Sequence, residues 1–147
     1  MNDGLKHTLF DQARALGFDA VGIASPDSIA HVAPRLAAFL ADDHHGTMAW
    51  MAEHADRRGD PRRLWPEARS VIMLGMNYGP ARDPRALLQR RDRGAISVYA
   101  QGDDYHELIK GRLKQLAGVV ARETGQDVKV FVDTATLMEK PLAERAG

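Results

Sequence analysis

Helical and strand-like periodicities that alternate along the chain, a balance of 44% hydrophobic against 27% charged residues, and the lack of any linker or repeat predict an α+β domain, a mixed sheet flanked by helices in a sandwich. The alternation alone also suits an α/β sandwich, and 147 residues make one domain's worth of chain. Leu5, Leu9, Ala13 and Leu16 recur at three- and four-residue steps and predict a first amphipathic helix, stopped by Gly17. Over residues 18–24 the period falls to two, as in a partly buried strand. Pro26 follows in a turn, and Asp27 or Ser28 caps a second helix carrying Ile29, Val32, Leu36, Phe39 and Leu40. Residues 42–46 break the pattern, 47–54 read as a short helical piece, and 57–63 are strongly basic. Residues 70–78 are the most apolar stretch, short and β-branched enough for an interior strand that Gly79 and Pro80 end. Five arginines over 82–93 (Arg82, Arg85, Arg90, Arg91, Arg93) face two aspartates, Asp83 and Asp92, which leaves a local charge of +3 on an expected basic loop. Residues 102–106 open a long helix with an acidic N-cap, its apolar positions Leu108, Ile109, Leu113, Leu116, Val119 and Val120 at helical spacing and Gly125 as its stop. Residues 128–132 alternate, predicting a third strand that delivers Asp133 at its carboxyl end, and a last helix runs from about 137 to 146.

Several function classes fall away. Twenty basic residues match twenty acidic ones, so any pull toward nucleic acid must come from local clusters. No apolar run approaches the roughly twenty residues that span a bilayer, and the first six residues lack the marks of a secretory signal, so a cytoplasmic protein without membrane contact is expected. The cysteine count is zero, which excludes disulfides, thiol catalysis and cysteine-ligated zinc or iron–sulfur centres within these residues. His44 and His45, even with His54 or His106, lack the i, i+4 geometry of a zinc pair, so no metal site is predicted and His45-Gly46 reads as a turn. Neither phosphate-binding glycine motif is present, nor is the G-x-S-x-G of serine hydrolases.

Asp133 is the sharpest candidate for chemistry, since a carboxylate that ends a hydrophobic strand sits where open sheets present ligands, and partial burial would raise its pKa toward proton donation. A turn residue or the N-cap of the last helix is the structural alternative. Tyr105 and His106, in the first turn of a helix, suit stacking on a planar ligand or, equally, capping and packing.

Taken in order, LGFDAVGIA at 16–24, HGTMAWM at 45–51, RGDP at 58–61, PEARSVI at 66–72, NY at 77–78, YAQGDDYH at 99–106 and VDTA at 132–135 resemble the epoxyqueuosine reductase family over nearly the whole chain. The resemblance implies a nitroreductase-like cobalamin-binding fold and a cobalamin- and iron–sulfur-dependent oxidoreductase that reduces epoxyqueuosine to queuosine at the tRNA wobble position. Residues 1–147 would then be a single N-terminal cobalamin-binding and catalytic domain of a longer reductase. Its two [4Fe–4S] clusters would lie in a later region, not bound by this chain, and the fragment alone would not turn over. By resemblance Asp133 is the proton donor beside the cofactor, Arg58, Ser97 and Lys140 face cobalamin, and Tyr105 and His106 belong to the pocket. Near neutral pH such a donor needs its pKa raised by about two units from a reference of about 3.9. Arg82, Arg85, Arg90, Arg91 and Arg93 would contact RNA phosphates while one base enters the pocket. The partners implied are a tRNA carrying epoxyqueuosine and an external electron donor, with a monomeric enzyme. Val98 stands where an arginine is frequent in the family and Thr136 where a proline is. The rival readings are a corrinoid-binding or trafficking module without reductase activity, a flavin nitroreductase-like protein, and a fragment that binds tRNA without a cofactor.

Overall fold

Two strands, β1 (Ala20–Ala24) and β2 (Val71–Gly75), pair antiparallel in the computed structural model, which describes residues 3–147. The register runs from Ala20 opposite Gly75 to Ala24 opposite Val71. The helices are α1 (Asp3–Ala15), α2 (Val32–Ala41), α3 (Ala55–Gly59), α4 (Pro61–Leu64), α5 (Tyr105–Thr124) and α6 (Glu139–Ala146), with short 3₁₀ turns at Pro26–Ile29, Ala49–Met51, Pro84–Gln89 and Val98–Ala100. The arrangement is α+β, and its sheet is a two-stranded antiparallel pair in place of the expected mixed sheet. Among the described residues no helix is long and apolar enough to cross a membrane.

The chain forms two compact units, one from the residues up to Asp19 with Met76–Val132, the other from Ala20–Gly75 with Asp133–Gly147. In the first, α1 packs on α5, and Leu9, Ala13, Phe18 and Leu116 are buried. Gly17 ends α1 at φ 85, a left-handed turn that glycine enters without a Cβ penalty. The backbone N–H of Asn77 donates to the Asp19 carboxylate at 2.7 Å. Asp104 caps α5 by accepting the His106 N–H at 2.9 Å, and Gly125 closes it at φ 65, so both ends of the long helix fall where the sequence puts them.

In the second unit, α6 packs on both strands and on the 26–29 turn. Its core is Ala24, Ile29, Val32 and Leu142, with Val71, Met73, Leu137 and Met138 against it. Gly22 permits this contact, because a Cβ there would lie 2.5 Å from the Ala146 carbonyl oxygen. Arg62 ties the unit's loops together: its guanidinium pairs with the Asp27 carboxylate at 2.5 Å and donates to the carbonyls of Ala68 at 2.8 Å and Pro66 at 3.3 Å.

The structure refines the sequence reading at several places. The predicted second helix divides into the 26–29 turn and α2, because Ser25 caps the turn by accepting the Asp27 N–H at 3.2 Å. The basic 57–63 stretch is helical, broken between α3 and α4 where Asp60 takes an extended conformation and accepts the Arg62 N–H at 2.9 Å. Residues 128–132 form no strand: Val132 is buried, but alternation records only one-sided burial, and a ladder also needs a neighbouring edge. The last helix begins at Glu139, two residues later than predicted.

Candidate active site

Asp133 follows the buried Val132 and turns the backbone sharply, at φ 51 in the left-handed region that non-glycine residues enter rarely and Asp and Asn more readily than most. Its side chain is exposed, which corrects the partial burial expected of it. Of the structural alternatives, the N-cap does not hold, since Met138 is the residue before α6, while the turn does; the backbone N–H of Asp133 donates to Glu139 Oε1 at 3.3 Å, six residues on.

Glu139 is the carboxyl that burial reaches. It is half-buried at the start of α6, and desolvation first, then the negative charge of Asp133, hold its pKa above the ordinary glutamate value, partly offset by the N–H that it accepts. Sequence reading missed it. The one signal available, an acidic residue in a first helical turn, is also the commonest stabilising placement of any glutamate.

Arg58 lies near the end of α3, with its guanidinium carbon 4.9 Å from the centroid of the Trp50 ring and Nη2 donating to the Trp50 carbonyl at 3.1 Å. Its Nε is buried and has no hydrogen-bond partner, as is His45 Nδ1. The rest of the RGDP motif is structural: Gly59 lets α3 approach Ala33, whose Cα would lie 2.8 Å from an added Cβ, and Asp60 caps α4. Lys140 is exposed on α6. Asp133, Glu139, Lys140 and Arg58 thus all belong to the second unit.

Ser97, Tyr105 and His106 belong to the first unit. Ser97 is exposed and precedes the 98–100 turn without capping it by its side chain. Tyr105 stacks on His106 with ring centroids 4.2 Å apart and meets Tyr99 edge-on at 6.2 Å. His106 Nδ1 lies 2.7 Å from Asp104 Oδ1, the oxygen that also accepts the His106 N–H. The His106 backbone N–H first, and its ring second, hold Asp104 below the usual carboxylate range. Capping therefore accounts for Asp104, Tyr105 leaves a stacked aromatic edge, and Tyr99 is exposed.

The basic loop is partly self-neutralised. Arg85 pairs with Asp83 and Arg90 with Asp92, both at 3.2 Å, and Arg93 stands 3.8 Å from Asp92. Among the described residues Arg82 and Arg91 make no ion pair. An open depression of about 440 Å³ lies between Asp83, Arg85, Ala86, Leu88 and Gln89, and none of the residues expected to face a cofactor lines it. Among the described residues no cluster of three or more metal-ligating side chains occurs.

Comparison with known proteins follows the same residues. The family model described as epoxyqueuosine reductase QueG, DUF1730, matches residues 58–134. The epoxyqueuosine reductase of Cyclobacterium marinum is 41% identical over 145 residues, covering 97% of this chain and 46% of that protein. A crystal structure of epoxyqueuosine reductase with an epoxyqueuosine-modified tRNA-Tyr stem loop superposes with a TM-score of 0.78 at 24% identity, covering 98% of this chain and 38% of that one. The Bacillus subtilis enzyme, in a structure described as having its catalytic aspartate loop swung out of the active site, gives 0.73 at 22% identity over 98% of this chain and 38% of its own. This chain spans less than half the length of the relatives it matches.

Proposed function

The chain belongs to the epoxyqueuosine reductase family, and we propose on that ground that residues 1–147 are the cofactor-binding and catalytic N-terminal domain of an oxidoreductase that reduces epoxyqueuosine to queuosine in tRNA, acting as a monomer in the cytoplasm. One observation carries the reading: an exposed aspartate, Asp133, held at φ 51 between a buried valine and the start of α6. Strained backbone of this kind persists where the surroundings over-determine it and concentrates at functional sites. In the Bacillus subtilis enzyme the corresponding description is of a catalytic aspartate loop that swings, and the exposed setting of Asp133 is compatible with such a loop.

Opening an epoxide to leave no oxygen behind needs an electron pair and a proton for the departing oxygen. Cobalamin, when bound, supplies the electrons. The chain's residues fit such a group in part: Arg58 Nε is a buried donor without a protein partner, and the corrin rim carries amide carbonyls that accept N–H groups. Arg58 and Lys140 are the side chains of the second unit that would hold it. Asp133 donates the proton. Iron–sulfur clusters do not fit these residues, which include no cysteine to ligate them. Arg82 and Arg91, with the weakly held Arg93, offer the positive charge that positions tRNA phosphates.

The test is deoxygenation of an epoxyqueuosine-containing tRNA stem loop by the full-length protein, followed by mass spectrometry of the nucleosides. Queuosine should form with the wild type, and Asp133→Asn should retain corrin absorption while losing at least about a hundredfold in rate. Undiminished reduction by the variant would remove Asp133 from the chemistry. Corrin absorption with no reduction by the wild type would favour a carrier module instead.

A further inference from the structure

Tyr99 is 56% exposed, yet its backbone and its ring are both held. It sits in the 98–100 turn, where the backbone N–H groups of Ala100 and Gln101 donate to the carbonyls of Ser97 and Val98 at 2.9 and 3.1 Å, and the Gln101 side chain donates to the Ile96 carbonyl at 2.7 Å. The ring meets Tyr105 edge-on at 6.2 Å, Tyr105 stacks on His106 at 4.2 Å, and His106 is fixed by its contact with Asp104 at the head of α5. Whichever ring offers its edge, at least one face of Tyr99 is left uncovered by Tyr105. Ordering a side chain costs entropy, and a ring already ordered and open to solvent lets a planar group stack on it with little further cost. We propose that Tyr99 is a stacking platform for one unpaired base of the RNA loop, a base beside the one that is reduced, with Tyr105 and His106 as its supports; this rests on the functional reading above.

The charge of the same unit favours RNA over a purely apolar occupant. Over residues 82–101 the chain carries five arginines against Asp83 and Asp92, and 94–101 bears no charge at all. Arg93 and Tyr99 are six residues apart, at most about 20 Å at full extension, so a short single strand held at its phosphates by the arginines reaches the ring. On the other side of the turn in sequence stand Asp103, Asp104 and Glu107, and of these Asp104 is engaged by the His106 N–H and ring. Those carboxylates repel phosphate, so the sugar–phosphate chain runs on the arginine side and the uncharged base takes the turn. Duplex RNA has no use for the ring, because its bases are already stacked on one another, whereas an unpaired loop base has a face to offer. Arginines interleaved with open aromatic rings are the pattern by which single strands are bound.

Two RNAs test the platform on the full-length protein: an unmodified tRNA stem loop carrying 2-aminopurine at each unpaired position in turn, and a blunt duplex of equal length. Tyr99→Ala should weaken stem-loop binding by about tenfold and abolish the quenching of 2-aminopurine at one loop position, with the slope of log affinity against log salt and the duplex affinity both unchanged. Tyr99→Phe, which keeps the ring, should retain wild-type affinity and quenching. Wild-type stem-loop binding by Tyr99→Ala overturns the proposal. So does an equal loss on loop and duplex, or a loss in Tyr99→Phe as large as in the alanine variant. The probe RNA carries no epoxyqueuosine, so binding is decided apart from catalysis. A wild-type enzyme that forms no queuosine overturns the functional reading and leaves the binding result standing; queuosine formation alongside undiminished binding by Tyr99→Ala overturns the platform alone.

Discussion

The β1–β2–α6 framework and the stretch from Met76 to Gly102 have little in common beyond their share of apolar residues. In the framework Ile29 and Leu142 are wholly buried, and a glycine is kept at position 22 so that α6 can close on the strand. In the other stretch Tyr78, Leu88, Ile96 and Tyr99 are all more than half exposed, and backbone order comes from short turns capped by aspartates. Hydrophobicity alone does not bury a residue. Burial needs a facing element, and the strands and α6 supply one to each other within the same unit.

Substitutions can push this contrast to breaking point. Leu142→Ala should lose about 3 kcal/mol of stability, since a fully buried leucine leaves a cavity in a core that α6 cannot refill. Leu88→Ala should stay within about 0.5 kcal/mol. Urea midpoints with an unchanged slope would check both, and equal losses would show the two regions to be alike. Next in size, replacing Arg82, Arg91 and Arg93 with alanine should lower the slope of log affinity against log salt for the tRNA stem loop by about two, because those guanidinium groups have the weakest hold on aspartates. Binding isotherms between low and moderate salt measure it, and an unaltered slope would make the loop solvated surface.

The smallest effects are the pH dependences, and they run in opposite directions. Glu139 is raised in the folded chain, so the folded state binds its proton more tightly; the stabilisation is complete below the ordinary value of 4.5 and is lost as pH rises through the raised one. Asp27 is lowered, chiefly by its hydrogen bonds from Arg62, so its contribution is present above 3.8 and is lost as pH falls through the lowered value. Thermal midpoints should therefore decline gently on both sides. Glu139→Gln should flatten the rise-in-pH limb and Asp27→Asn the acid limb; a variant that leaves its own limb unchanged would contradict the assignment.

What was legible in the sequence was local. The cap at Asp104, the stop at Gly125, the stop at Gly17 and both strands could be read because each depends on residues a few places apart. The family motifs were legible too, and the same short runs that carry them also do structural work, as Gly59 and Asp60 do around Arg58. What stayed hidden depends on partners far away. The 128–132 stretch has the pattern of a strand and no edge to join, and Arg62 finds Asp27 across 35 residues. Glu139 acquires its character only when α6 lies on strands that lack charge. The division into two units was equally hidden, since the chain passes between them at 19–20, 75–76 and 132–133, where no glycine- or proline-rich linker marks the crossing.

The span from Asp133 to Glu139 acts as a ruler. Adding or removing one residue among 134–138 would leave α6 seated by Leu142 and by the glycine beneath Ala146, yet would carry the aspartate out of register with the Glu139 carboxyl that accepts its N–H. Loop length there is thus a geometric constraint of its own, beside the packing of Leu137 and Met138 on the core.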